Sequence, residues 1–216
     1  MRERIQSALE VVVRSSKQEA AWLNTLSLLE FTGARKISRT VAAHHPSLDV
    51  LQHWADETRH AAVLKRLAHE RLGAEPDEYL CLEAAKAYFA DLDAALAEWL
   101  LAHGGDGNPL LNYLLVTTTV ERRAMQLYPL YRAVTSDAQV REELSRIIVE
   151  EQSHRRAIED RCRNLLAAGG LSFETPLAKE EALFDRFWEA VEKVLLLPVT
   201  PLVAVQAASV SAAVRS

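Results

Sequence analysis

Glycine and proline interrupt this chain at only a few places, and that punctuation constrains the fold more than any other feature. Seven of each occur in 216 residues, mostly in short clusters. Long stretches without breaks mean long helices and leave too few turns for an all-β chain. The first stretch runs from about Lys17 to Ala43, with Leu23, Leu26, Ile37 and Val41 on one stripe, and ends at His44-His45-Pro46. Ser47 is placed to cap a second helix, which runs to Leu72 and stops at Gly73. A third, about 77–103, lies between Pro76 and Gly104-Gly105. Asn108-Pro109 opens a fourth, which runs to about Val134 with a kink expected at Pro129. Ser136 with Gln139 reads as a capping box for the fifth, ending at Gly169-Gly170, and Thr175-Pro176 starts a shorter last helix, about Leu177 to Leu196.

The expected fold is therefore all-α: a bundle of four long helices in two hairpins, joined by the crossover helix at about 77–103. Such a crossover, at about 1.5 Å per residue, covers about 40 Å, enough to run the length of a bundle. Residues 1–170 form the bundle in this reading, and 171–216 add a helix and an apolar tail packed on the bundle or on a partner in a homodimer.

Charge and composition narrow the function classes. The net charge of −5, with no basic block, gives no support to a nucleic-acid partner. The apolar stretch from Val194 to Val210 is broken by Pro198 and Pro201 and is too short for a membrane span. The first residues, Met-Arg-Glu-Arg-Ile-Gln, lack the apolar core of a secretory signal. Two cysteines, Cys81 and Cys162, build no disulfide framework and fit a reduced cytoplasmic setting.

The chemistry lies in a motif that occurs twice. Asp56-Glu57-Thr58-Arg59-His60 and Glu150-Glu151-Gln152-Ser153-His154 each hold Glu-x-x-His. Three residues apart on a helix, a carboxylate and an imidazole share one face and can share one metal ion. With 21 Glu and 7 His in the chain, one copy is nearly expected by chance, so the motif needs a second test. Each has a carboxylate on the preceding helix, Glu30 before Glu57 and Glu121 before Glu151. In an antiparallel hairpin, residues sit level when their sequence midpoint falls in the turn. The first midpoint falls at Ala43-His44, the second on Ser136, and both are turn signals chosen on other grounds. Glu30 also shares its stripe with Leu23, Leu26 and Ile37, and Glu151 and His154 share theirs with Leu144, Ile147 and Ile158. Four carboxylates pointing where apolar residues point call for cations, because a buried carboxylate is costly unless paired or metal-bound. Two divalent ions would balance Glu30, Glu57, Glu121 and Glu151.

A Glu from each of two helices with a Glu-x-x-His from each of two others is the ligand pattern of the ferritin-like dinuclear carboxylate proteins. Over about residues 17–168 this chain resembles that superfamily, which includes bacterioferritin, rubrerythrin and the diiron oxygenases. The resemblance implies two Fe ions, or Mn or a mixed pair, held by Glu30, Glu57, His60, Glu121, Glu151 and His154, with Glu57 or Glu151 bridging. It implies O2 activation by an oxidoreductase that takes electrons from an external donor and acts on a small organic substrate. Iron or peroxide handling of the ferritin or rubrerythrin sort, and a non-enzymatic bundle, are the alternatives. The chain lacks the two Cys-x-x-Cys pairs of rubrerythrin, and its wide central spacing and Asp-Glu-x-Arg-His look more like the oxygenases. There, Asp56, Arg59 and Glu150 would hydrogen-bond around the ligands, although Ser153 stands where the second motif would carry Arg. The plain reading of those three is a solvated helix face.

Further candidates sit close by. His53, four residues before Glu57, shares a face with Glu57 and His60 and is a possible extra ligand. The p-aminobenzoate N-oxygenase type uses an extra histidine in its other half. The plainer reading puts His53 at the rim of the core beside Trp54. Tyr128, two turns from Glu121, is a candidate redox tyrosine or a core residue, with Tyr113 and Tyr131 nearby. His44, His45, His69 and His103 are read as surface residues, Cys162 as core, and Trp22, Trp54, Trp99 and Trp188 as packing.

Overall fold

A computed structural model describes residues 1–41, 46–73, 78–104 and 109–196. Among these residues the protein is all-α, with seven helices: α1 (Arg2–Val12), α2 (Ser16–Val41), α3 (Leu48–Leu72), α4 (Leu82–Ala102), α5 (Pro109–Val134), α6 (Ala138–Ala168) and α7 (Glu174–Leu196). No described helix is long and apolar enough to cross a membrane.

Most helix ends follow the punctuation. Gly73 adopts a left-handed φ of 65° and its N–H closes α3 onto the His69 carbonyl. Gly170, φ 69°, follows the end of α6. Pro109 is the first residue of α5, where its missing N–H costs nothing, and the helix runs on through Pro129.

Four expectations need correction. α1 is a helix that glycine and proline do not announce, although Ile5, Ala8, Leu9 and Val12 are buried at helical spacing. The crossover α4 starts at Leu82 and not at 77. Just before it, Leu80 N–H bonds the Ala21 carbonyl and Thr25 Oγ1 on α2. The cap of α6 is Asp137 and not Ser136: the Asp137 carboxylate accepts from the N–H groups of Gln139 and Val140, and also pairs with Arg71 at 2.5 Å. Trp54 lies at the surface, whereas Trp22, Trp99 and Trp188 are buried, Trp22 edge-on to Trp188. His69 and His103 are exposed, as expected, and Cys81 and Cys162 are free buried thiols. His44, His45 and residues 197–216 of the tail lie outside the described residues.

The long helices pair as two hairpins, α2 with α3 and α5 with α6. The pairs meet through α2 against α5 and α3 against α6, while α4 packs mainly on α7, and α1 on α5. Apolar stripes drive this packing: Leu23, Leu26, Ile37, Leu64, Leu144 and Ile147 are all at most 2% exposed. Polar clasps fix the ends. Glu19, fully buried on α2, accepts hydrogen bonds from Tyr131 and Thr135 and pairs with Arg71. Glu180 of α7 takes a bidentate bond from buried Arg123 of α5 and another from Tyr88 of α4, which ties the crossover and the last helix to the hairpins.

Contacts between α3 and α6 define an antiparallel register. Arg71 faces Asp137, Arg66 faces Glu143, His60 faces Glu150 and Asp56 faces His154, so facing residue numbers add to between 208 and 210.

Candidate metal centre

Midway along the hairpins, two groups of side chains converge. Glu30, Glu57, His60 and Glu151 each bring one ligand atom to within 4.8 Å of the others, and so do His53, Glu57, Glu121 and His154. The six residues picked from the sequence are therefore all present, His53 joins them, and Glu57 belongs to both groups. All seven are at most 8% exposed except His154, whose side chain is 13% exposed.

The imidazoles are held by their outer nitrogens. His60 Nε2 lies 2.8 Å from Glu150 Oε2, and His154 Nε2 lies 3.1 Å from Asp56 Oδ2. Each acid that precedes one Glu-x-x-His thus holds the histidine of the other. Arg59 joins the two, donating to Asp56 at 2.9 Å and to Glu150 at 2.6 Å. His53 is oriented by Tyr113, whose Oη lies 3.2 Å from Nδ1, while its Nε2 sits 3.1 Å from both Glu57 and Glu121. Tyr128 donates to Glu30 and not to Glu121 of its own helix.

Several inner atoms of this cage are buried and poorly satisfied. His154 Nδ1 and Glu121 Oε2 have no hydrogen-bond partner, while His60 Nδ1 faces Glu151 Oε1 at 3.0 Å and Glu121 Oε1 faces His53 Nε2 at 3.1 Å without hydrogen-bond geometry. A buried polar group left unsatisfied costs about 1–3 kcal/mol, and more when charged. Imidazole nitrogens and carboxylate oxygens aimed at common points, with the far nitrogen of His60 and of His154 on a carboxylate, are what a divalent cation needs of its ligands. The donor set of nitrogen and oxygen without sulfur suits iron or manganese. The residues present therefore could hold a metal ion.

Burial and mutual repulsion shape the charges. Burial, then the charges of Glu57, Glu151 and Glu121, push Glu30 well above the ordinary carboxylate value, and burial and Glu57 raise Glu151. Burial raises Glu121 to about 8 despite its contact with His53. Burial also acts to raise Glu57, but the His53 hydrogen bond and charge outweigh it and hold this carboxylate low. Burial works against a charge on His53, yet Glu121 and Glu57 prevail and lift it to about 12. His154 goes the other way: burial and the neighbouring His53 charge keep it neutral, with a free lone pair.

Space around the cage is unequal. A cavity of about 600 Å³ opens between α3 and α6 onto His53, His154, Asp56 and Tyr113. On the opposite side, a void of about 60 Å³ lies against Glu30 and Glu151, walled by Leu26, Phe89, Leu127 and Phe184.

Sequence reasoning passed over one residue here. Gly33 lies inside α2, where glycine weakens a helix by about 1 kcal/mol relative to alanine. A Cβ at this position would meet Glu57 Oε2 at 2.9 Å, so glycine makes room for the shared carboxylate. A mid-helix glycine one turn after a buried Glu was the available signal. Tyr113 was visible as a tyrosine near the Glu121 stripe, but its pairing with His53, 60 residues away, was not.

Neither family models, nor curated proteins, nor solved structures give a match to this chain.

Proposed function

We propose that this chain is a ferritin-like dinuclear metal protein, with two Fe ions as the preferred pair, that activates O2 as an oxidoreductase on a small organic substrate. The observation that carries this reading is the pair of buried four-residue ligand groups sharing Glu57. Two Fe(II) ions, if bound there, would supply two electrons for the reduction of O2.

The chain's own residues set up that chemistry. Glu57 belongs to both groups and would be a ligand common to them. Asp56 and Glu150 orient the two ligand imidazoles and raise their basicity, and Arg59 keeps both acids ionised and in place. Tyr128 holds Glu30 by its hydroxyl, and Tyr113 aims His53 at the second group. Leu26, Phe89, Leu127 and Phe184 keep bulk water from the carboxylate side. The 600 Å³ cavity has the size of a small-molecule site, and its contact with His53 and His154 favours a substrate-directed enzyme over iron storage.

Anaerobic loading with Fe(II), followed by metal analysis and an optical spectrum on admission of O2, tests the proposal. About two irons per chain and an oxo-bridge absorption are expected; under about 0.2 iron per chain overturns it.

A further inference from the structure

The 600 Å³ cavity has a charged mouth. Asp49 of α3 and Arg161 of α6 line it, and neither makes a hydrogen bond or ion pair with a described residue. The other charged side chains on its wall, Asp56 and Glu150, are engaged by Arg59 and the histidines. The antiparallel register of α3 and α6 puts Asp49 level with Arg161, since their numbers add to 210 as do those of Asp56 and His154. Each lies seven residues, two turns, beyond that pair. Seven residues return a side chain to nearly the same face, about 10 Å along the axis. Between mouth and cage the wall is mixed: Val50, Leu114 and Ile158 offer apolar contact beside Gln52 and Ser153.

We infer that this cavity binds a zwitterion with a long apolar tail, an α-amino acid whose ammonium pairs with Asp49, whose carboxylate pairs with Arg161, and whose side chain reaches down to His53 and His154. Opposite charges held level across an opening, too far apart to neutralise one another, match the two charges carried on one α-carbon. The distance of about 10 Å admits a chain of six or so carbons, which Val50, Leu114 and Ile158 can contact. The assignment of this ligand as substrate rests on the dinuclear reading above; its binding does not.

Calorimetric titration of the full chain, both metal-free and Fe(II)-loaded under anaerobic conditions, tests the inference with three probes. L-2-aminooctanoic acid carries both charges, octanoic acid lacks the ammonium and heptylamine lacks the carboxylate. The amino acid should bind at least about ten-fold tighter than either relative, about 1.4 kcal/mol. Asp49→Asn should erase its advantage over octanoate, Arg161→Gln its advantage over heptylamine, and the exchanged pair D49R/R161D should restore most of the preference. Broadening of ligand protons by bound Fe(II) should be strongest at the terminal methyl and weakest at the α-proton. Equal binding of the amino acid and octanoate, no binding by a folded chain, or a preference untouched by both single variants overturns the inference. Metal content measured on the same samples separates this from the dinuclear reading. Zwitterion binding without metal uptake sinks only that reading, and metal uptake without zwitterion preference sinks only this inference.

Discussion

The two ligand groups share Glu57 and differ in almost everything else. One is Glu30, Glu57, His60 and Glu151: three carboxylates and one imidazole, with Tyr128 donating to Glu30 and a void of about 60 Å³ that Glu121 of the other group also lines. The other is His53, Glu57, Glu121 and His154: two carboxylates and two imidazoles, open to a cavity ten times larger. The first group is the more anionic and favours the harder, more highly charged ion. The second is more neutral and lies where a substrate would arrive. A duplicated motif has thus produced two unequal positions, and His53 is the residue that makes them so.

The largest effect should come from removing what the groups share. Glu57→Ala should abolish binding at both positions, leaving under about 0.3 iron per chain by metal analysis. Retention of one full equivalent would show that the groups are independent. His53→Ala comes next and tests the asymmetry itself. It should lower uptake from about two irons to about one while His60 and its neighbours keep theirs; two irons retained would make His53 a rim residue hydrogen-bonded to Tyr113 and nothing more.

Proton occupancy gives the third test. Without metal, Glu121 titrates near 8 where an ordinary glutamate has 4.5, and His53 near 12 where an ordinary histidine has 6.5. The folded chain therefore holds protons that the unfolded chain gives up. Each raised value adds stability that is complete below the ordinary pKa and is lost as pH climbs through the raised one. The Tm of the metal-free protein should fall from pH 5 to pH 9, and metal uptake should release protons measurable in a weakly buffered solution. A metal-free Tm that rises across this range contradicts the charge assignment.

Smaller effects belong to the surroundings. Arg59→Ala frees Asp56 and Glu150 and should weaken iron binding about ten-fold at both positions, because each acid holds the histidine of one group. Loss at only one position would show that the crossed pairs work separately. Gly33→Ala should split two readouts. The helix gains up to about 1 kcal/mol from alanine, while the new methyl displaces the Glu57 carboxylate, so thermal stability holds or rises as iron affinity drops a few-fold. Parallel changes in both would mean that Gly33 serves packing alone.

Much of this asymmetry stayed hidden in the sequence although its parts were visible. Glu30, Glu57, His60, Glu121, Glu151 and His154 could be found because helical spacing and hairpin midpoints are properties of numbering. The same numbering located the ends of α3, α5 and α6, where backbone conformation demands glycine or tolerates proline. His53 obeyed the same spacing but carried no third relation to set it apart from a histidine at the rim. Its place depends on how α3 turns toward α5, which packing decides. Asp137 rather than Ser136 caps α6 because Arg71 draws it, across a contact between helices that no local pattern records. The clasp of Glu180, Arg123 and Tyr88 spans three helices and was equally illegible. α1 shows the opposite failure: its apolar spacing was there to be counted, but no glycine or proline drew attention to it.

Anomalous diffraction from a crystal of the iron-loaded protein, recorded on both sides of the iron edge, tests the central claim most directly. Two peaks about 3.5–4 Å apart should appear, both touching Glu57, one beside His60 and the other between His53 and His154. A single peak, or iron on surface carboxylates with the cage empty, would contradict it.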